Sequence, residues 1–337
     1  MRLIIQNPQN LSKKNGKISG AIIKDKMTGK QVIINSKCII NATGIFADEI
    51  RKLDDTNTAN IIKPSQGTHL VIKKDKLHTE YAMLMPKTND NRILFAVPWY
   101  DVIVCGTTDI AINKIEEEPK RLESEIEFII KNMNNYLDIK ITKNDILSVY
   151  SGIRPLIVDP KEKKNTSKIS RNDKIFVSDS NLITIAGGKY TTYRKMAEKV
   201  FKRAIEENLI PDSTCITENF KLHGYIEREE ALKIPKYFRA YGSDFEYLSQ
   251  MENFNKKIHT DLPLNEAQIT FAIEFEQAKT VEDILSRRTR SLLFNAKATI
   301  ESTPKVAEIM MHKLGKSKKW KTEQIKKFKD IATKYLV

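Results

Sequence analysis

Residues 181–195, N-L-I-T-I-A-G-G-K-Y-T-T-Y-R-K, hold the densest set of groups with chemical potential. Gly187 and Gly188 strip side chains from a turn and let a ligand approach the backbone. Lys189 adds a cation, Tyr190 a phenol, and Thr191 and Thr192 two hydroxyls. An apolar run of strand type, 182–186, leads in, and a helical pattern from about Thr191 leads out. A helix start offers unpaired N–H groups and a positive dipole end, so this combination makes a site for an anion or a cofactor. An ordinary strand-to-helix turn would read the same way. Ala42-Thr43-Gly44 is a second such place, after the strand-like run 36–41, and it too reads equally as a tight turn. Arg154 stands in S-G-I-R-P-L (151–156), between a glycine turn and a proline. Proline holds the preceding residue extended, which aims a guanidinium suited to meet an anion. His69 follows P-S-Q-G-T (64–68) on a strand-like run. Histidine titrates near neutral pH and can accept a proton, although a strand histidine is more often structural.

The elements that must position these residues follow from periodicity. Runs 16–25 and 30–35 flank a Lys26-Met27-Thr28-Gly29 turn and predict a hairpin. Residues 45–53 have helical spacing. Strand-like runs 61–72, 81–86, 92–98 and 102–106, joined by polar turns, predict an antiparallel sheet, with Thr107-Thr108-Asp109 able to cap the next turn. Leu122, Ile126, Ile129, Ile130 and Met133 predict an amphipathic helix over 116–137. The lysine-rich stretch 159–170 reads as a surface loop, 174–178 as a strand and 191–207 as a helix. After Pro211 the chain turns helical, with amphipathic helices expected over 265–279 and 282–298 and a basic helical tail over 305–336.

The 337 residues suffice for two or three domains, and 40% hydrophobic with 30% charged residues fits a globular chain. No apolar run reaches membrane-spanning length, and residues 1–10 lack the pattern of a signal peptide, so neither is expected. Cys38, Cys105 and Cys215 are sparse, odd in number and without a CxxC, which argues for a reducing compartment and against disulfides or a zinc site. The acidic run 116–118 reads as a solvated helix start, and no metal site is expected. A net charge of +14 fits an anionic membrane surface or an anionic substrate. Nucleic acid is not expected as a partner, because no basic motif interleaved with aromatics occurs.

Seven motifs then coincide in order: I-N-A-T-G-I-F-A-D (40–48), P-S-Q-G-T-H-L-V-I (64–72), I-L-F-A-V-P-W (93–99), V-C-G-T-T-D (104–109), S-G-I-R-P-L (151–156), A-G-G-K-Y-T-T-Y-R-K-M-A-E (186–198) and T-V-E-D-I-L-S-R-R-T-R (280–290). Together they resemble the FAD-dependent glycerol-3-phosphate dehydrogenase family from about Ile33 to Ala298. The resemblance implies a mixed α/β (α+β) fold. Its parts would be a partial glutathione-reductase-type FAD domain (1–53 and 151–210), an antiparallel substrate-binding domain (54–150) and a C-terminal helical domain (211–337). It implies FAD as cofactor, sn-glycerol 3-phosphate as substrate and quinone as electron acceptor. By the same resemblance His69 and Arg154 lie near the reacting hydroxyl. Arg171 and Lys189 would grip the phosphate, or Lys189 would lie beside the flavin. Ala42, Gly44, Gly187, Gly188, Thr191 and Thr192 would line the flavin.

One departure is large. The family's GxGxxG loop, which grips the FAD pyrophosphate, occurs nowhere in these 337 residues. The chain therefore resembles a C-terminal portion, which implies weakened FAD binding and impaired or absent activity on its own. A separate chain carrying the FAD-binding portion is then an expected partner. The other expectation is a non-catalytic fragment or subunit whose basic helical tail binds a partner or an anionic membrane. The expected location is cytoplasmic, with peripheral contact at the inner face of the cytoplasmic membrane.

Overall fold

Short apolar runs and their end signals set the architecture of the computed structural model, which describes residues 6–90, 92–158 and 172–337. The chain divides into two compact units. The first takes the described residues of Met1–Gln66, Ile110–Glu116 and Ile153–Phe220, and the second takes those of Gly67–Asp109, Glu117–Gly152 and Lys221–Val337.

In the first unit β1 (Gln6–Lys14), β2 (Lys17–Asp25) and β3 (Gln31–Asn35) form an antiparallel sheet. The β2–β3 hairpin turns where the Asp25 carboxylate accepts the Met27 and Thr28 N–H groups. A second sheet has the order β11 (Lys174–Val177), β12 (Leu182–Ala186), β4 (Ile39–Asn41). All five residues of β12 are buried, as its unbroken apolar run requires. Its alternation serves two layers. Leu182 packs with Ile50 of α1 (Ala47–Asp54) and with Leu11 and Ile18, whereas Ile183 and Ile185 pack with Val200 and Ala204 of α3 (Tyr193–Glu206).

The long strands β5 (Ile62–Lys73) and β10 (Ile146–Ile157) pass through both units. With β8 (Val102–Gly106), β7 (Leu94–Trp99) and β6 (Met83–Met85) they make a sheet of order β10-β5-β8-β7-β6, with β9 (Ile110–Ala111) beside β5. In the second unit Leu70, Ile72, Leu94, Ala96, Ile103 and Cys105 face Ile126, Ile129 and Met133 of α2 (Glu123–Asn134). On the other face Val71 and Val102 pack with Phe294. The remainder of this unit is helical: α4 (Arg228–Lys233), α5 (Phe245–Gln250), α6 (Glu266–Glu274), α7 (Ser291–Phe294), α8 (Ala296–Lys313) and α9 (Lys318–Ala332).

Three expectations change. The helix predicted over 116–137 is shorter, Glu123–Asn134: Pro119 disfavours helix at Glu118, and Leu122 stays extended at ψ 135° as the N-cap. The helix predicted over 282–298 breaks into a π-helical turn, Asp283–Arg288, then α7 and the start of α8. Arg290 there is left-handed at φ 56°, and Asn295 is extended and caps Ala298 N–H at 3.1 Å, the role asparagine prefers over a helix interior. Finally, Gly152 is not a turn: β10 runs straight through it, so Arg154 is held by a continuous strand.

Candidate functional site

β4 and β12 pair in parallel, with Ile39 opposite Leu182 and Asn41 opposite Thr184. Both strands therefore deliver their carboxyl ends to one edge, where open α/β sheets bind ligands. One end is Ala42-Thr43-Gly44 and the other is Gly187-Gly188. Asn41, 2% exposed, ties the first turn down. Its Nδ2 donates to Ala47 O at 2.9 Å and Thr184 Oγ1 at 3.3 Å, and its Oδ1 accepts the Thr43 hydroxyl at 2.7 Å. Gly44 sits at φ 59°, and the space a Cβ would take there is open. Gly187 sits at φ 74°, and a Cβ on it would meet Asn172 O at 2.7 Å and the Ile157 side chain. Both turns require glycine by conformation, and the second also by packing.

Beyond Gly188 the chain makes a 3₁₀ turn, Tyr190–Thr192, and enters α3. The Thr192 N–H and hydroxyl both donate to Lys189 O at 2.9 Å. The side chains of Lys189, Thr191 and Thr192 are exposed around this helix start. Arg154 lies three residues before Ile157, which packs with Ala186 and Ile61 beside the glycine pair. Ala42, Gly44, Gly187, Gly188, Lys189, Thr191, Thr192 and Arg154 all fall within the first unit. Arg171 lies outside the described residues.

His69 belongs to the second unit, half-buried on β5. It sits opposite Gly106, which sits opposite Phe95, which sits opposite Leu84, so these four share one row and one sheet face. The imidazole stacks on Tyr150 with centroids 5.0 Å apart and planes 14° from parallel. Burial pushes the Tyr150 phenol up to about 12, with a smaller push from Cys105. Thr68, the residue before His69, is fully buried. Its N–H donates to Thr108 Oγ1 at 2.8 Å, and its hydroxyl lies 2.7 Å from Ser151 Oγ. Thr108 in turn donates to the buried carboxylate of Glu125 at 2.5 Å. Leu84 (54% exposed) and Phe95 (43%) in this row, and Val97 (41%) in the next row of the same face, leave an apolar surface.

Asn41, Gly106, Tyr150 and Glu125 are functional candidates that the sequence did not single out. Asn41 had a signal, its place directly before A-T-G. The others act through cross-strand register and helix packing, which no local spacing reveals.

The paired glycine turns at parallel strand ends suit a flavoprotein, and residues 4–194 match the family model described as FAD dependent oxidoreductase. The chain belongs to that family. Residues 181–321 match a second model, the C-terminal domain of alpha-glycerophosphate oxidase. Within the family the chain is similar to the mitochondrial glycerol-3-phosphate dehydrogenase of Rattus norvegicus, 36% identical over 95% of this chain and 46% of that protein. It is 35% identical to the probable mitochondrial glycerol-3-phosphate dehydrogenase of Dictyostelium discoideum over 97% of this chain and 55% of that protein. The chain thus spans about half the length of the curated relatives it matches. Its fold is similar to the crystal structure of glycerol-3-phosphate dehydrogenase from Bacillus halodurans complexed with FAD: TM-score 0.82, 23% identity, covering 98% of this chain and 69% of that one. The open space at Gly44 and the shared edge of two parallel strand ends fit one side of a flavin. The pyrophosphate loop is the part of an FAD site that this sequence does not contain.

Proposed function

We propose that this chain carries the substrate-facing part of an FAD-dependent oxidation of sn-glycerol 3-phosphate to dihydroxyacetone phosphate, with quinone as electron acceptor. The observation that carries the reading is the parallel pairing of β4 and β12, which brings two glycine turns to one strand-end edge. The substrate reading is supported by the activity named for relatives that align over 95% of the chain.

Oxidation at the C2 carbon requires that a hydroxyl proton leave, that the alkoxide charge be stabilised and that the phosphate dianion be held. Bound FAD supplies hydride acceptance. Ala42, Gly44, Gly187, Gly188, Thr191 and Thr192 would line its flavin end. His69 takes the hydroxyl proton and Arg154 stabilises the developing negative charge. Arg171 and Lys189 meet the phosphate as cations, or Lys189 lies against the flavin. The exposed apolar side chains Leu84, Phe95 and Val97 on the His69 face of the sheet would exclude water once covered. A GxGxxG-bearing portion would complete the flavin site, and the +14 charge suits peripheral contact with an anionic inner membrane face.

The test is His69→Ala in the chain joined to a GxGxxG-bearing FAD portion. Turnover should fall by about 10²- to 10⁴-fold with flavin content unchanged. Unaltered turnover removes His69 from the reaction.

A second reading has its own support in α9, where Lys318, Lys319, Lys326, Lys327 and Lys329 are exposed. In it the chain is a non-catalytic subunit that binds an acidic partner or an anionic membrane through this helix. A protein joined to a GxGxxG-bearing portion that is colourless once incubated with FAD and freed of unbound flavin would favour it.

A further inference from the structure

The row that carries His69 offers more than a histidine on a strand. The residues around it restrict the ring from two sides. Tyr150 stacks nearly parallel to the imidazole at 5.0 Å. Across the strand pair, a Cβ built on Gly106 would fall 2.6 Å from His69 Cδ2 and 3.1 Å from Cγ, so the ring already occupies the volume a side chain there would need. Relief of that overlap by backbone movement is opposed. The Thr68 N–H is held by Thr108, Thr108 by the Glu125 carboxylate, and the Thr68 hydroxyl by Ser151. Thr68, Thr108 and Glu125 are 0%, 2% and 1% exposed. Opening this network would leave buried polar groups without partners, which is unfavourable. The soft coordinate that remains is the His69 ring itself.

We propose that Gly106 and Tyr150 are positioning residues for His69: the absent side chain at 106 makes the room the imidazole fills, and the Tyr150 ring holds its face. The proposal rests on the reading of His69 as proton acceptor for its consequence in turnover, but not for its geometry. Tyr150 acts as a flat surface rather than as an acid, since burial pushes its phenol far above the working range. Phenylalanine should therefore replace it and leucine should not.

The test uses the chain as it stands, labelled with ¹³C at the Cδ2 of its five histidines. His69→Gln identifies the His69 signal. Among the described residues His69 is the histidine stacked on an aromatic ring, so its Cδ2–H should lie upfield of the other four. It should show nuclear Overhauser contacts to the Tyr150 ring and the Gly106 Hα. Tyr150→Phe should keep the upfield position, Tyr150→Leu should lose it, and Gly106→Ala should move it, with the amide spectrum otherwise like wild type. Absence of the upfield position or of those contacts in the unsubstituted chain overturns the proposal, whatever the variants do. So does a His69 signal that Tyr150→Leu and Gly106→Ala both leave in place. In the flavin-complete enzyme, a displaced ring should lower turnover by about 10²-fold for Gly106→Ala, with Tyr150→Phe near wild type. If the signals behave as stated but turnover does not change, the sandwich stands and the assignment of His69 as base fails.

Discussion

The Asn41 side chain works from both ends at the Ala42–Gly44 turn, its amide on Ala47 O and its carbonyl oxygen on the Thr43 hydroxyl. With 2% exposure, no water can replace those bonds without local opening. Asn41→Ala should therefore cost about 1–3 kcal/mol, read as a lower urea midpoint at unchanged slope, and should weaken flavin retention because Gly44 loses its anchor. An unchanged midpoint would show that the turn is held by its backbone alone. At this scale the sequence was informative where a residue's chemistry is expressed in its own segment. I-N-A-T-G and A-G-G-K-Y-T-T-Y announce turns because glycine and its neighbours act locally. His69 was visible by type, but Gly106 and Tyr150 were not, since their effect depends on which residues face each other across strands.

Among the elements, α1 shows how an end is fixed. Asp54, its last residue, has a side chain only 3% exposed and pairs with Lys13 of β1 at 2.8 Å. Burial pushes the Asp54 carboxyl up, but hydrogen bonds from Lys13, Ser178 and Ser180 outweigh it and hold the group below its usual range. The folded value is depressed, so this contribution to stability is present above the unfolded value near 4 and is lost as pH falls through the folded value. Asp54→Asn should remove about 1.5–3 kcal/mol at neutral pH and flatten the acid limb of a stability–pH curve below about pH 4. Parallel curves for the two proteins would contradict the pairing. Strands and helices with unbroken patterns were legible: β12 from its five apolar residues, and α3 from its periodicity after the glycine pair. Where single residues override a pattern, periodicity misled. Pro119 delays α2, Arg290 and Asn295 divide the helix expected over 282–298, and Gly152 stays in a strand because pairing within the sheet outweighs its conformational freedom.

For the molecule as a whole, the mixed α/β class and the flavoprotein family were legible because seven motifs keep one order over most of the chain. The first compact unit is assembled from three separate stretches of sequence. Two expectations belong to this scale. Without a GxGxxG loop the chain alone should hold FAD weakly, so dialysis should strip the visible flavin absorbance, whereas the chain joined to an FAD portion should keep it. Binding to vesicles rich in anionic lipid should occur and should fall steeply as salt is raised, with neutral vesicles unbound, given the +14 charge and the exposed lysines of α9. The central claim is tested most directly by anaerobic mixing of the flavin-loaded, GxGxxG-completed protein with sn-glycerol 3-phosphate. The proposed oxidation requires bleaching of the oxidised flavin band by glycerol 3-phosphate and none by glycerol. A protein that holds its flavin firmly yet stays oxidised in saturating glycerol 3-phosphate would contradict it.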